Sequence, residues 1–180
     1  MDSLQNSQDS AKPSIAAIHY FMHGYLQTVA TFLALALSFP AWADTTGLVV
    51  SVHDGDTLTV LVEKQQIKVR LAEIDAPELR QPFGNRSKQS LADLCFQQSA
   101  KVEQIAKDRY GRSVGKVECR TVDAGAHQVA LGMAWVYDRY NKPNSPLYRL
   151  QDAATAAKRG LWADDKPVPP WEWRMVKPQN

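Results

Sequence analysis

Between Gly47 and Ile74 three β-rich runs follow one another, "GLVVSV", "TLTVLV" and "QIKVRLAEI", separated only by "HDGD" and "EKQQ". Valine, isoleucine and threonine dominate the runs, and the short Asp/Gly and Glu/Lys/Gln breaks leave no room for a crossover helix. An antiparallel meander is the arrangement that such spacing allows. Folds that need a parallel sheet with helical connections are thereby disfavoured from the start.

Downstream, "APELRQPFGNRSKQSLADLCFQQSA" opens with a loop marked by Pro77, Pro82 and Gly84. Leu91, Leu94 and Cys95 then recur at helical spacing, which predicts an amphipathic helix over roughly 85 to 98. "KVEQIAKDRYGRSVGKVEC" returns to strand character on both sides of a turn at Asp108 to Gly111. A short helix around "AHQVALG" ends at Gly132. In the last helix Ser145 caps and Pro146 takes the first position. Leu147, Leu150, Ala154, Ala157 and Leu161 form its apolar stripe, and Gly160 closes it. Five strands, with one helix inserted before the last two and others after them, predict an α+β domain built on a five-stranded OB-type β-barrel with three helices. The chain's 180 residues, 44% hydrophobic and 22% charged, suit one such domain with a real core. A net charge of +2 permits a polyanionic partner without demanding one.

The ends are read separately. "VATFLALALSF", Val29 to Phe39, has the length of a signal-peptide h-region, and Pro40 and "AWA" follow it as a small-x-small cleavage pattern. Residues 1–43 are therefore expected to be a leader, with Met22 as an alternative start and an uncleaved membrane anchor as the competing reading. Cleavage implies an exported protein, periplasmic or secreted, with no stable membrane association afterwards. Cys95 and Cys119 would then meet an oxidising compartment, as a structural bridge or as two buried thiols. Residues 44–165 form the expected domain. Residues 166–180, with "PVPPWEWR", read as a Pro/Trp-rich strap packed on it or as a stacking surface for bases.

Chemistry concentrates in two stretches. "HDGDTL" sets Asp54 and Asp56 either side of Gly55 in a tight turn. "VRLAEIDAPE", Val69 to Glu78, carries Arg70, Glu73, Asp75 and Glu78 at the end of a strand. In a meander Asp56 and Asp75 can approach one another, and two like charges at close range call for a cation between them. Oxygen ligands without histidine or thiolate favour calcium or magnesium over zinc. Arg70 and, in "DRYGR", Arg112 have the fork geometry that grips phosphate. Glu78, held by Pro77, is a free carboxylate able to take a proton from water. Asp54 reads as a turn-former and Glu73 as a solvent-facing strand residue. An Asp-x-Asp phosphatase is a third possibility, opposed by the meander.

Taken jointly, "DGDT", "VRLAEIDAPE", "DRYGR", "GMAWVY" and "KRGLW" resemble the staphylococcal nuclease (thermonuclease) family over nearly all of residues 47–164, and the tail resembles those of exported bacterial members. The resemblance implies a calcium-dependent nuclease acting on DNA and RNA, with single strands favoured and a monomeric state. It implies calcium bound by Asp56, Asp75 and the backbone carbonyl of Ala76, where the best-known member has threonine. It further implies that Arg70 and Arg112 hold the scissile phosphate, that Glu78 is the general base, and that products carry a 3'-phosphate. Tyr110 and Tyr140 correspond to tyrosines of the nucleotide pocket, while Asp138 stands where a second such tyrosine would be. A catalytically silent nucleic-acid or partner-binding module of the same fold is the alternative, and it has no need of all five charged residues.

Overall fold

The computed structural model of the chain describes residues 44–140 and 144–176, the side chain of Tyr140 excepted. The leader expected over residues 1–43 lies outside them. The strands are β1 (Thr45–Val52), β2 (Thr57–Val62), β3 (Gln65–Leu71), β4 (Ile74–Asp75), β5 (Ser99–Lys107), β6 (Ser113–Cys119), β7 (Val122–Asp123) and β8 (Trp135–Val136). The helices are α1 (Gly84–Cys95), α2 (Ala124–Ala130), α3 (Pro146–Ala156) and α4 (Pro170–Val176). No described helix is long and apolar enough to cross a membrane.

β1, β2 and β3 form the expected meander, and β5 and β6 add to it in the order β3-β2-β1-β5-β6. A parallel pairing of β3 with β6, Val69 to Ser113 and Leu71 to Gly115, closes the five strands into a barrel. Alternation explains the inside. Ser113, Gly115, Val117 and Cys119 of β6 are buried and alternate with less buried neighbours, and Val69 and Leu71 flank the half-buried Arg70 on β3 in the same way. Val49, Leu58, Val60, Val69 and Leu91 are wholly buried at the centre. Each such side chain contributes about 1.5–3 kcal/mol through the apolar area removed from water.

Leu91, Leu94 and Cys95 turn the buried face of α1 to the barrel, and Cys95 is disulfide-bonded to Cys119 with a Cα separation of 5.4 Å. The α+β class and the five-stranded barrel are thus as the sequence implies, and the tail adds a fourth, short helix.

Two element ends differ from expectation. The third run does not continue to Ile74, because Glu73 adopts a left-handed φ of 66°. Ile74 and Asp75 leave the barrel there and pair with Val136 and Trp135 instead. The last helix stops at Ala156, four residues before Gly160. Lys158 and Gly160 are both left-handed, and Leu161 donates its backbone N–H to the Gly132 carbonyl at 2.8 Å. Leu161 is therefore buried from a 3-10 turn rather than from the helical stripe.

Candidate active site

The turn between β1 and β2 is built by its own side chains and then clamped from outside. Asp54 Oδ1 accepts the backbone N–H of Asp56 at 3.0 Å, the Asx turn expected of it. Gly55 is buried, and a Cβ there would overlap Ser87 Oγ of α1. Gln128 of α2, wholly buried, donates through Nε2 to the carbonyls of Gly55 (2.8 Å) and Ser87 (2.9 Å). Its Oε1 accepts from the Ser90 hydroxyl at 2.6 Å. Two helices thus hold the backbone that presents Asp56.

Asp56 is 6% exposed and its carboxylate is fixed twice, by the Thr57 hydroxyl at 2.9 Å and by the backbone N–H of Ala76 at 2.9 Å. Arg70 lies opposite Thr57 in the β2–β3 register. Its Nη2 reaches Asp75 Oδ1 at 3.0 Å and Asp56 Oδ2 at 3.6 Å, while Nη1 donates to the Leu71 carbonyl at 3.0 Å. One guanidinium therefore bridges the two carboxylates that the sequence brought under suspicion. Asp75 arrives by way of the short β4–β8 ladder rather than along the third strand.

Electrostatics record the strain of this cluster. Burial, with the neighbouring Asp56 charge behind it, pushes Asp54 up to about 6. Burial also raises Asp75 above the ordinary carboxylate range, despite the bonds from arginine. Burial works against the Arg70 charge, but Asp56 and Asp75 outweigh it and raise its pKa further. Buried carboxylates that their arginines do not fully relieve are what a bound cation would stabilise. Among the described residues no three His, Cys, Asp or Glu side chains converge, so a cation here would draw on two carboxylates and backbone oxygen. That all-oxygen set fits calcium.

Glu78 follows Pro77, which is fully buried. Its backbone N–H donates to Gln81 Oε1 at 3.2 Å, and its carbonyl accepts the Gln81 N–H at 2.8 Å. Gln81 Nε2 in turn donates to the Val168 carbonyl at 2.6 Å, tying the tail to this loop. The tail then returns to the site. Arg174 of α4 donates from Nη2 to Asp75 Oδ2 at 2.7 Å and from Nη1 to Glu78 Oε1 at 2.8 Å. Gln81, Gln128 and Arg174 were not anticipated. The one sequence cue to Arg174 is a basic residue just past the two tryptophans of the strap.

Arg112 and Tyr110 form a separate group at the β5–β6 hairpin. Asp108 Oδ1 accepts the backbone N–H groups of Tyr110 and Arg112, both at 2.9 Å, and Oδ2 accepts Arg112 Nε at 2.7 Å. Burial opposes the Asp108 charge, yet these bonds bring its pKa below the ordinary value. Arg112 lies two residues before Val114, the register partner of Arg70, so strand alternation sets both arginines on one side of the sheet. Tyr110 is 69% exposed, with the guanidinium carbons of Arg109 and Arg112 at 4.8 and 5.7 Å from its ring centre. The Tyr140 side chain lies outside the described part. Asp138 accepts the hydroxyl of Tyr148, from α3, at 2.8 Å.

Comparison with known proteins follows the same lines. A family model, staphylococcal nuclease homologue, matches residues 68–164. The chain is 44% identical over 161 residues to a micrococcal nuclease of Shigella flexneri, covering 84% of this chain and 92% of that protein. It is 43% identical over 134 residues to an uncharacterized endonuclease of Haemophilus influenzae, covering 73% of this chain and 74% of that protein. A probable staphylococcal-like nuclease of Oryza sativa subsp. japonica is 36% identical over 113 residues, 63% of this chain and 34% of that protein. With its closed barrel and its charged cluster, the chain belongs to the staphylococcal nuclease family and is a nuclease, a hydrolase of phosphodiester bonds.

Proposed function

We propose that this nuclease is calcium-dependent, acts on both DNA and RNA with single strands favoured, and leaves 3'-phosphorylated products. One observation carries the reading. Two buried carboxylates, Asp56 and Asp75, lie 3.6 and 3.0 Å from the same Arg70 nitrogen, with Glu78 joined to Asp75 through Arg174.

Asp56, Asp75 and the Ala76 carbonyl would hold calcium. When bound, calcium supplies positive charge to a non-bridging phosphate oxygen and keeps several waters of its own. Arg70, oriented by the Leu71 carbonyl, and Arg112, steadied by Asp108, bracket the remaining phosphate oxygens. Glu78 takes a proton from the attacking water, a new P–O bond forms, and the bond to the 5'-oxygen breaks. Because the transition state carries more charge than the substrate, positioned cations favour it over the ground state. The family resemblance assigns Tyr110 and Tyr140 to nucleotide binding.

The test is cleavage of heat-denatured DNA in calcium and in chelator. Glu78→Gln and Arg112→Ala are each expected to lower the rate about 100- to 1000-fold. Full activity in chelator, or unchanged rates in either variant, overturns the assignment. End-group analysis checks for the 3'-phosphate. Export of a monomeric enzyme is part of the same proposal, supported by the h-region before Asp44 and by the bonded Cys95–Cys119 pair. N-terminal sequencing of the exported protein checks it, and a start upstream of Val29 contradicts cleavage.

A further inference from the structure

Both oxygens of Asp75 are engaged by arginine, and the two arginines are not equivalent. Oδ1 accepts from Arg70 at 3.0 Å, and Oδ2 accepts from Arg174 at 2.7 Å, with a longer contact of 3.4 Å between Arg174 Nη1 and Oδ1. Arg70 is fixed: it sits in a barrel strand, its side chain is 14% exposed, and Asp56, Asp75 and the Leu71 carbonyl all hold it. Arg174 is 35% exposed and comes from a seven-residue helix near the end of the chain. The tail is anchored earlier, where Trp171 stacks on Tyr137 at 5.3 Å and meets Trp135 edge-on at 5.9 Å. Past Arg174, Met175 and Val176 are 77% and 80% exposed. The Arg174 guanidinium reaches inward and spans a candidate cation ligand and the candidate base together.

A cation at Asp75 meets the like charge of two guanidinium groups and competes with them for the same carboxylate, so the arginine held by fewer contacts is the one to give way. The less constrained one is Arg174. We propose that Arg174 is the resident counter-ion of the cation seat, displaced when a divalent cation enters, and that it thereby sets the cation affinity of the nuclease. The inference rests on the calcium reading above. Tethered by Trp171, the guanidinium competes as an intramolecular ligand whose effective concentration is fixed by the fold rather than by the solution. Its release also frees Glu78 Oε1, coupling cation entry to exposure of the base. Without the cation the same contact keeps Asp75 and Glu78 from facing one another uncompensated.

Isothermal titration of calcium chloride into the chelator-treated full chain tests this directly, without reference to cleavage. Arg174→Gln removes the competing charge at similar length. Its Kd for calcium is expected to fall about 5- to 10-fold below that of the wild type, the share of a charge-assisted pair no longer lost on binding. In chelator its melting temperature is expected to fall slightly, and this loss should vanish in saturating calcium. An equal or weaker Kd in Arg174→Gln overturns the proposal while leaving the calcium reading standing. Calcium binding by neither protein at millimolar concentration overturns both. Should Arg174→Gln not fold in chelator, Arg174→Lys keeps the charge but loses the fork. A smaller drop in Kd is then expected, and an unchanged Kd overturns the inference.

Discussion

Gln128 donates its side-chain amide to the carbonyl of Gly55 at 2.8 Å, across 73 positions of chain. The turn that presents Asp56 is thus held by a helix far along the chain. Gln128→Leu keeps the volume and removes every hydrogen bond, leaving the carbonyls of Gly55 and Ser87 and the Ser90 hydroxyl without this partner. Each buried group so stranded costs about 1–3 kcal/mol. Urea unfolding should show a lower midpoint. Because Gln128 orients a candidate ligand from behind, calcium affinity or cleavage should also fall about 10- to 100-fold. An unchanged calcium affinity in a folded variant would show that the turn holds its shape unaided.

Asp54 carries a pH signature. In the unfolded chain it ionises near 3.9, but in the fold only near 6, since burial and the charge of Asp56 oppose it. Its native pKa is raised, so the ionised carboxylate weighs on the folded state above about pH 6, and that burden disappears below about pH 4. Asp54→Asn keeps the acceptor of the Asx turn and removes the charge. In chelator it should raise stability at pH 7.5 by an amount on the order of 1–3 kcal/mol, with the gain gone at pH 4. Melting curves at the two pH values check this, and an equal gain at both contradicts it.

Cys95 closes α1 and Cys119 closes β6, so their bond ties the helix to the barrel across 24 positions. By loop entropy a bridge of that span is worth about 3–4 kcal/mol. The double variant Cys95→Ala/Cys119→Ala should unfold at lower urea by that amount. Reductant should leave the midpoint of that variant unchanged, whereas it should lower the midpoint of the wild type.

Trp171 is the anchor of the tail, through Tyr137 and Trp135. Trp171→Ala removes stacking worth about 0.5–1.5 kcal/mol beyond the area it covers. Limited trypsin treatment should then cut after Arg174 sooner than in the wild type while the barrel stays whole, a difference that mass spectrometry resolves. An unchanged rate of cutting would place the anchorage in the Gln81 to Val168 bond instead.

The parts of the fold that were legible are those whose pattern is local. Runs rich in valine, isoleucine and threonine between short turn breaks mark β1, β2 and β3 in the sequence, and helical spacing marks α1, because these cues lie within a few neighbouring residues. The break at Glu73 has no such cue: its left-handed backbone answers to the pairing of Ile74 and Asp75 with a strand sixty residues on. Likewise Leu161 fits the stripe of α3, yet the Gly132 carbonyl takes its N–H and ends the helical path early. At the site, Asp56, Arg70, Asp75 and Glu78 stand out because charge beside a strand end is locally anomalous. Gln128 and Arg174 are ordinary polar residues until the chain is folded. Their partners lie 73 and 99 positions away, and no short window contains both.

The parallel seam between β3 and β6 has a meaning in time as well as in space. Val69 meets Ser113 only after β5 has been laid down and the hairpin behind it has turned. Contacts of that sequence separation come late, since the entropy of closing the loop is lost before the pairing returns anything. That seam sets Arg70 and Arg112 on one side of the sheet. With the seam open the chain keeps Arg70 and Arg112 but loses the register that sets them together. The relative placing of these two arginines is thus a property of the closed barrel and of no single hairpin within it.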